Sequence, residues 1–514
     1  MKNRYYITTP LYYVNSSPHI GHAYTNIVAD ALSRFHKMQG DDVYLLTGTD
    51  EHGRKIQQAA IEQSLEVKVF VDKIVNNFKS LWKVIDIDYT DFIRTTEKRH
   101  VDSVKKALQY IYDKGDIYTS SYKGWYCVPC EMFWVESQID QSRLCPDCKR
   151  NLEEIEETNY FFRMSKYQNW LIEYVEKNPA FIKPKTRYNE VLSFLKNNTL
   201  DDLCITRPKE RLSWGIDFPI DDKYVTYVWF DALLNYISGA GFSDDSKKFT
   251  RFWPADVHFL AKDILRQHAI YWPIMLKALD LDMPKTVFSH GWWLVDKGDQ
   301  AEKMSKSRGN VVDPFSLVEE FGSDALRFFL LKDVPLGLDG KFSREAVIKR
   351  INSDLANDLG NLVFRSINMI VKYFEGRISN VYLEKFGYFS DMAKKTRENY
   401  LNFMAEIDFF NAIESVFEFI RMTNKSIEEE KPWVLSKENR IQELSSFMYC
   451  LAEAIRLIAI YMYPFIPSSS RKILAQLGID DCQFEGILNS DSWGFKFSKP
   501  VIKTEPLFPR IDVS

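Results

Sequence analysis

The sequence of 514 residues has no uninterrupted apolar run of about 18 residues or more, the length that a membrane-spanning helix needs. It also has no excess of one charge, because 67 basic residues stand against 71 acidic ones. We therefore predict a large globular protein without a membrane span, and the charge balance excludes a general basic coat for nucleic acid. Any RNA contact must come from local patches. Internal repeats and low-complexity tracts are also absent.

Cysteine is scarce too, yet four of the seven cysteines form a pattern. Cys127 and Cys130 form one Cys-x-x-Cys pair, Cys145 and Cys148 form another, and fourteen residues separate the pairs. Four thiolates at this spacing predict a closed, tetrahedral Zn²⁺ knuckle with a structural role. Disulfides are the disfavoured alternative, because residues from Tyr5 onward read directly as a strand, leave no room for a targeting peptide and indicate a cytoplasmic, reducing location.

The apolar pattern predicts an α/β fold with a doubly wound parallel sheet of the Rossmann type. Strands and helices alternate from residue 4 to about 115, and a helix that carries Ile20 and the apolar residues after it at helical spacing is predicted to end near Gly40. A buried strand at 43–46 runs on to Asp50, which would project from the carboxyl edge of the sheet, where such folds bind ligands. After an insertion, the sheet is expected to resume with strands at 224–230, 257–260 and 287–289.

A change of pattern near Ser343 predicts that an all-α helical bundle follows the sheet. Apolar residues keep a 3.6-residue period from there onward, without strand-like alternation. The chain is thus predicted to divide into the first half of the sheet domain (1–115), a connective insertion (116–222) with the knuckle at about 125–150, the second half (223–292), a loop region containing lysines (293–345) and the helical domain (346–514).

Two short segments far apart in the sequence carry groups suited to binding phosphate. In Pro18-His19-Ile20-Gly21-His22 we expect Ser17 to cap a helix and Pro18 to be its first residue, so that both imidazoles face one side. The free N–H groups of such a helix end attract anions, and Gly21 leaves room for a nucleotide. In Lys303-Met304-Ser305-Lys306-Ser307, two ammonium groups could follow the charge that develops on a departing pyrophosphate.

Together the two segments resemble the signature motifs of class I aminoacyl-tRNA synthetases. Nearly the whole chain is similar to bacterial methionyl-tRNA synthetases, most clearly at residues 5–15, 47–53, 227–232 and 258–264 and in the knuckle. The resemblance implies a ligase that activates L-methionine with ATP and loads tRNA(Met), with ATP used as its Mg²⁺ complex. It implies that the catalytic groups are His19, His22, Lys303 and Lys306, and that ATP also contacts Gly21, Arg207, His290, Gly291, Met304, Ser305 and Ser307.

The resemblance also implies a methionine pocket. Its side-chain walls would be Leu11, Tyr13, Trp229, Ala232, Tyr236, Ile264 and His268. Aromatic walls suit a polarizable thioether, and Tyr236 and His268 could touch its sulfur. Asp50 would pair with the substrate ammonium, whose burial would otherwise be costly.

For the helical domain, the resemblance implies reading of the CAU anticodon by Asn361, Arg365 and Trp433. Asn361 and Arg365 are four residues apart on the polar side of a predicted helix, and Pro432-Trp433 follows a helix end, which exposes the indole. An exposed aromatic beside an Arg-Asn pair suits recognition of single-stranded RNA. Residues 293–345 would contact the tRNA stem. We expect a monomer, because no further RNA-binding or dimerisation domain follows the bundle.

Several alternatives remain at this point. A cysteinyl enzyme would use a thiol-sensing zinc in its active site, but no cysteine precedes Cys127. Valyl, isoleucyl and leucyl enzymes carry an editing insertion much larger than the roughly 100 residues present here. A noncatalytic zinc-knuckle RNA-binding protein derived from a class I synthetase is the alternative from a different functional class.

Overall fold

The structure is a computed structural model that describes residues 2–127, 132–134, 136, 139–146, 148–297, 300–303 and 312–512. Its strands are β1 (Arg4–Thr8), β2 (Tyr12–Tyr13), β3 (Asp42–Asp50), β4 (Asp91–Arg94), β5 (Ile117–Cys127), β6 (Met132–Trp134), β7 (Glu153–Phe162), β8 (Ile182–Lys183), β9 (Leu203–Cys204), β10 (Thr206–Pro208), β11 (Tyr224–Thr226), β12 (Val257–Ala261), β13 (Thr286–His290), β14 (Trp293–Lys297), β15 (Gln300–Lys303) and β16 (Gly340–Phe342).

The helices of the sheet-containing part are α1 (Ile20–Gln39), α2 (Arg54–Glu62), α3 (Val67–Val84), α4 (Lys98–Asp113), α5 (Gln168–Lys177), α6 (Lys185–Asn197), α7 (Val228–Leu233), α8 (Asn235–Ala240), α9 (Ser246–Phe252), α10 (Trp272–Ala278), α11 (Pro314–Phe321) and α12 (Ser323–Lys332). Those of the bundle are α13 (Arg344–Arg350), α14 (Asn361–Phe374), α15 (Gly387–Ala405), α16 (Phe409–Glu430), α17 (Pro432–Lys437), α18 (Ile441–Met462) and α19 (Pro467–Gln476). A π-helical segment, Ile351–Gly360, joins α13 to α14, and another, Gln267–Tyr271, leads into α10.

Seven of the described strands form one parallel sheet, which confirms the predicted fold class. The strands follow one another in the order β2, β3, β1, β12, β13, β8, and β4 also pairs with β3. The two halves of the sheet meet at β1, where Thr8 lies opposite Leu46 of β3 on one side and His258 of β12 on the other. Because all pairs are parallel, the carboxyl ends of β1, β3, β12 and β13 open at one edge, which is where such sheets bind ligands.

The insertion forms a separate antiparallel sheet, in which β6, β5, β7 and β9 are neighbours. Its later part also supplies β8, which pairs in parallel with β13 at the edge of the main sheet. The prediction of a main-sheet strand at 224–230 is wrong. Only Tyr224–Thr226 is extended, and it pairs with β10 in a separate ribbon. The next residues form α7, which turns the apolar run towards the open edge of the main sheet.

The helical bundle packs around α18. This helix is the one candidate for a membrane span among the described residues by length and composition, but 94% of its apolar window is buried inside the protein. It contacts α14, α15, α16 and α19, so its all-round apolar surface is explained by its central position.

A buried charge cluster joins the bundle to α1. Asp30 accepts hydrogen bonds from Arg34 at 2.7 Å and from Arg327 at 2.6 Å, and all three side chains are almost completely buried. Arg34 also donates to the Tyr463 hydroxyl at 3.1 Å, and Arg327 donates to the Pro464 carbonyl at 2.8 Å. Tyr463 and Pro464 directly follow α18, so the helix that starts at the phosphate-binding motif is anchored in the bundle.

Candidate active site

The histidines of the first signature segment cap α1 with their own side chains. His19, in an extended conformation, is the N-cap, and its Nδ1 accepts from the Gly21 N–H at 3.1 Å. His22 Nδ1 accepts in return from the His19 N–H at 3.2 Å, and the two rings stack with centroids 3.7 Å apart. The expectation that Ser17 caps the helix and Pro18 begins it is therefore wrong. The two histidine side chains, which accept from the Gly21 and His19 N–H groups, provide the capping that was expected from serine.

This capping arrangement determines which hydrogen-bond donors of the histidine segment can bind a phosphate. The N–H groups of the first turn have partners within the protein: Ile20 N–H bonds Val312 O at 3.3 Å, and those of His22 and Ala23 bond His19 O. The expectation of free backbone donors is therefore wrong. Because the Nδ1 atom of each histidine accepts a hydrogen bond, each neutral ring carries its proton on Nε2, which leaves an imidazole N–H as the donor group of the motif.

Gly21 is required by the capping geometry. A Cβ atom at this position would lie 2.9 Å from His19 Cε1, closer than side chains normally approach. Gly21 also lines the cavity, as the sequence predicts. Any larger residue would displace the His19 ring, so the glycine supports the histidine pair as well as leaving room for a ligand.

One cavity of about 720 Å³ at the carboxyl edge of the main sheet brings most of the predicted site residues together. Its lining includes the phosphate-motif residues and all the residues predicted to bind methionine: His19, Gly21, His22, Leu11, Tyr13, Asp50, Trp229, Ala232, Tyr236, Ile264 and His268, together with His290 and Gly291. These residues lie in or directly beside β2, β3, α1, α7, α8 and β13 and in the segment after β12, which the parallel sheet aligns at one edge. A cavity of this size suits a nucleotide and a small side chain.

The buried end of the cavity carries a fixed polar pair. The Tyr236 hydroxyl lies 2.6 Å from His268 Nε2, and His268 Nδ1 lies 2.8 Å from the Ile264 carbonyl. The carbonyl can only accept, so His268 donates from Nδ1 and accepts the Tyr236 proton at Nε2. Burial lowers the pKa of His268 to about 4, so the ring is neutral at pH 7. A neutral pair beside Trp229 can contact a thioether without the penalty of a buried charge.

Asp50 stands at the end of β3 and is largely buried. Its position is fixed by the pairing of β2 with β3, which places Tyr13 opposite Asp50, and by the His52 N–H, which lies 3.4 Å from Asp50 Oδ1. The next residue, Glu51, is buried by Arg94, whose Nε and NH2 atoms donate to its two carboxylate oxygens at 2.5 and 2.9 Å. Asp50 is thus the carboxylate that this strand end presents to the cavity.

Three further residues predicted to contact ATP, His290, Gly291 and Arg207, do not all reach the cavity. His290 and Gly291 line the cavity; His290 is held by Thr25 at 2.8 Å, and burial lowers its pKa to about 4. Arg207 is not part of the cavity lining. Its guanidinium is buried against the rings of Tyr126 and Tyr227 and donates to the Thr206 carbonyl at 2.7 Å, so the expectation of a phosphate contact is not supported by its position.

The second signature segment, which carries the two lysines, lies only partly within the described residues. Lys303 is the last residue of β15, whose partner β14 pairs Leu294 with Lys303. Met304, Ser305, Lys306 and Ser307 lie outside the described residues. β14 starts three residues after His290, so the hairpin that ends at Lys303 follows directly from the cavity wall.

The knuckle places three of its four cysteines together. The Sγ atoms of Cys127, Cys145 and Cys148 all lie within 4.8 Å of one another, and those of Cys127 and Cys148 are 3.4 Å apart, too far for a disulfide. Cys130 lies outside the described residues. Three converging thiols fit a soft metal ion. Cys148 and the neighbouring Arg150 also line the cavity, which the sequence pattern did not predict.

The three residues predicted to read an anticodon lie on the bundle surface, away from the cavity. Asn361 is the first residue of α14, and Arg365 lies one turn later. Trp433 lies in α17 after a left-handed Lys431, and 45% of its surface is exposed. Arg365 also donates to Glu428 Oε1 of α16 at 2.6 Å. The two residues are 63 positions apart, so the sequence pattern does not reveal their contact.

Sequence reasoning missed other cavity residues, namely Lys55, Asn235, Asp263, Gln267 and Trp292. Asp263 and Trp292 face each other, with Trp292 Nε1 3.3 Å from Asp263 Oδ1. Asp263 lies within the stretch 258–264, which carries the resemblance, and that stretch was the signal that could have found it. Lys55 approaches the Tyr13 ring at 5.8 Å, a contact that depends on where α2 begins after β3.

A parallel sheet with a histidine-capped helix at its carboxyl edge, an inserted cysteine knuckle and a following helical bundle has the organisation of a class I tRNA synthetase. Comparison with known families agrees. A family described as "tRNA synthetases class I (M)" matches residues 5–155 and 149–367, and a second, "Anticodon binding domain of methionyl tRNA ligase", matches residues 385–511.

Individual relatives narrow the class. The chain is 48% identical to a methionine--tRNA ligase of Clostridium acetobutylicum and 47% identical to that of Clostridium tetani, in each case over all of this chain and 79% of the relative. It is 38% identical to a solved structure of Mycobacterium tuberculosis methionyl-tRNA synthetase in complex with methionyl-adenylate, with a TM-score of 0.92 over 99% of this chain and 100% of the other. The chain belongs to the methionine--tRNA ligase family.

Proposed function

We propose that this protein is a methionine--tRNA ligase that forms methionyl-adenylate from L-methionine and ATP and then loads tRNA(Met) for initiation and elongation. The observation that supports it best is the single cavity that joins the His19–His22 pair to Asp50 and the Tyr236–His268 pair. A phosphate-binding group, an ammonium-binding carboxylate and an apolar aromatic end are thus available to one substrate complex. The full-length family membership supports the same activity.

The chemistry requires positioning more than covalent catalysis. The methionine carboxylate attacks the α-phosphorus of ATP, the bond to the β-phosphate oxygen breaks, and pyrophosphate leaves. A hydroxyl of the terminal tRNA ribose then attacks the carbonyl carbon, and AMP leaves. His19 and His22 would donate from Nε2 to phosphate oxygens, and Lys303 and Lys306 would offset the charge of the departing pyrophosphate. Asp50 would hold the substrate ammonium.

Two metal ions belong to the proposal. The thiols of Cys127, Cys145 and Cys148 can hold a metal, and we assign it as structural Zn²⁺ with Cys130 as the fourth ligand. Mg²⁺ would enter with ATP. We also propose a cytoplasmic monomer in which the segments 1–115, 116–222, 223–292, 293–345 and 346–514 are the functional divisions.

Exchange of labelled pyrophosphate into ATP tests the activity directly. We expect exchange that depends on L-methionine and occurs without tRNA. Exchange driven by another amino acid would contradict the specificity. No exchange with any amino acid, together with binding of tRNA, would favour the noncatalytic RNA-binding alternative.

The anticodon assignment has its own test. We propose that Trp433 stacks on a base of the CAU anticodon and that Asn361 and Arg365 contact base edges. Trp433→Ala should slow aminoacylation of tRNA(Met) while methionine-dependent exchange is kept. Tyr112→Ala is the control, because Tyr112 is an exposed aromatic on α4 in the sheet-containing part of the chain. Equal loss of both activities in Trp433→Ala would contradict the assignment.

A further inference from the structure

A buried carboxylate lies directly behind the methionine side of the cavity. Asp231 is on α7, between the cavity residues Trp229 and Ala232, but its own side chain is completely buried and does not line the cavity. Each of its two oxygens contacts one imidazole: Oδ2 lies 2.7 Å from His52 Nδ1, and Oδ1 lies 2.6 Å from His100 Nε2. Three elements that are far apart in sequence therefore meet at one carboxyl group.

The protonation of this cluster follows from its contacts. Burial alone would raise the pKa of Asp231, but His52 and His100 more than offset this, and its pKa lies below the ordinary 3.8. An ionised carboxylate can only accept hydrogen bonds, so His52 donates from Nδ1 and His100 donates from Nε2. His100 is in turn fixed on its other side by the Ser238 hydroxyl, 3.1 Å from Nδ1.

His52 connects this cluster to the cavity. It follows Asp50 by two residues, and its own backbone N–H lies 3.4 Å from Asp50 Oδ1. The ring of His52 is therefore held by Asp231 while its backbone faces the carboxylate of Asp50. Only one residue separates Asp50 from His52, and this segment leads from the end of β3 into α2. The hydrogen bond between the His52 ring and Asp231 therefore restricts where the peptide N–H of residue 52 can lie.

We propose that His52 and Asp231 are positioning residues that hold the Asp50 carboxylate in the orientation that receives the α-ammonium group of the amino-acid substrate. The inference rests on the proposed function, since it takes Asp50 as the ammonium partner. It assigns to His52 and Asp231 no contact with substrate. Their effect passes through the peptide N–H of residue 52, and His100 fixes Asp231 from the opposite side.

Two competitive inhibitors distinguish positioning of Asp50 from general support of the pocket. L-Methioninol carries the thioether and the ammonium, whereas 4-(methylsulfanyl)butanoate carries the thioether and no ammonium. In Asp231→Asn we expect the inhibition constant of methioninol to rise about tenfold, as for loss of a hydrogen bond that orients a charged group. The constant of the compound without ammonium should change by less than about twofold, and the KM for ATP likewise.

A matched set of variants keeps the test decisive. His52→Ala removes the donor and should behave like Asp231→Asn, whereas His52→Asn places an amide donor near the position of Nδ1 and should restore methioninol binding. Asp116→Asn is the control: Asp116 is also a buried carboxylate, bonded to Tyr167 at 2.5 Å, but it does not line the cavity. It should leave both inhibition constants unchanged.

The contrary results are clear. A parallel rise for both inhibitors would show that Asp231 supports the whole pocket, and unchanged constants in Asp231→Asn and His52→Ala would show that it positions nothing; either result overturns the inference. A wild-type protein without methionine-dependent exchange would instead overturn the proposed function. If Asp231→Asn fails to fold, the comparison of His52→Ala with His52→Asn decides the same question.

Discussion

At the residue scale, His19 and His22 combine two roles in one pair of rings. Their Nδ1 atoms satisfy backbone donors at the start of α1, and this fixes the side from which Nε2 can donate. Because the same hydrogen bonds cap the amino end of α1 and orient the donors, the geometry of the site is set by the capping itself. Substitution of either histidine therefore removes one hydrogen-bond donor to phosphate and weakens the position of the other histidine.

His22→Ala should lower methionine-dependent pyrophosphate exchange by about 10²–10³-fold, the usual effect of removing one donor to developing charge. The free energy of unfolding should fall by only about 1 kcal/mol, because one capping bond is lost. His36→Ala is the matched control. His36 is in the last turn of the same helix, where it pairs with Asp41 at 2.7 Å. Equal loss of exchange in both variants would contradict a direct role of His22.

The buried histidines predict a pH dependence. Burial lowers the pKa of His268 and of His290 from 6.5 to about 4. The unfolded chain therefore binds more protons than the folded protein between these values, and the free energy of unfolding should fall as the pH is lowered from 6.5 towards 4, by about 3 kcal/mol for each group. Chemical denaturation at pH 7 and pH 4.5 should show a smaller fall in His268→Asn than in the wild type. An equal fall would contradict the shift at His268.

Single residues also show where sequence reasoning succeeds. Gly40 was predicted to end the first helix and does so in a left-handed conformation, and Asp50 was predicted to project at a strand end. The capping by His19 was not predictable, because histidine is not a preferred N-cap and only the partner three residues later makes it one. Arg207 was placed by resemblance, whereas aromatic rings from two other segments hold its guanidinium.

At the scale of elements, the knuckle is a wall of the active site as well as a small folding unit. Cys145 is buried with Cys127 in its core, while Cys148 and Arg150 face the cavity. A change in the metal-binding loop is therefore expected to reach the substrate site. The sequence predicted the cysteine cluster from spacing, but its position over the cavity depends on the path of the antiparallel strands β5 and β7.

Removal of the metal should lower activity as well as stability. The purified protein should contain about one zinc per chain, and Cys145→Ser should lose it together with much of the pyrophosphate exchange. Cys204→Ser is the control, since Cys204 is buried outside the cluster. Metal content is measured by elemental analysis before and after chelation. A Cys145→Ser protein that retains the zinc would contradict the ligand assignment.

Two elements show why local patterns fail. The run Tyr227-Val228-Trp229-Phe230 has strong strand preference, yet most of it forms α7, because there it can bury Phe230 and present Trp229 to the cavity. The strand β8 has only two residues and belongs to the insertion. It is too short for an apolar periodicity to predict that it pairs with β13 at the edge of the main sheet. Both outcomes are decided by tertiary packing.

At the scale of the whole molecule, the charge cluster of Asp30, Arg34 and Arg327 connects α1 to the bundle through Tyr463 and Pro464. The resemblance predicted both parts and their order correctly. It gave no information on this contact, because Asp30 and Arg327 are 297 positions apart and look like ordinary surface charges in their own helices. When a buried carboxylate lies between two guanidinium groups, removal of any one partner is strongly destabilising, because it leaves an uncompensated charge in the interior.

Asp30→Asn should destabilise the protein by about 3–5 kcal/mol. It leaves the buried Arg327 without its counter-charge, and it leaves Arg34 with only the partly exposed Asp86, whose carboxylate lies 3.5 Å away. Asp88→Asn is the matched control. The Asp88 side chain is 59% exposed and pairs with Lys37 at 2.7 Å, so its loss should change the free energy of unfolding by less than about 1 kcal/mol. Denaturant titrations measure both. Similar values for the two variants would show that the cluster does not hold the two parts together.

The far end of α1 is also completed from a distance. The Lys37 carbonyl accepts from the Gly486 N–H at 2.9 Å, and the Gln39 carbonyl accepts from Asn489 at 3.1 Å. During translation, α1 leaves the ribosome long before residues 486–489 are made. The helix that carries the histidine pair therefore lacks these two partners until synthesis is nearly finished. A nascent chain interrupted after α18 would have every residue that lines the cavity, but it would lack these two hydrogen bonds at the carboxyl end of α1.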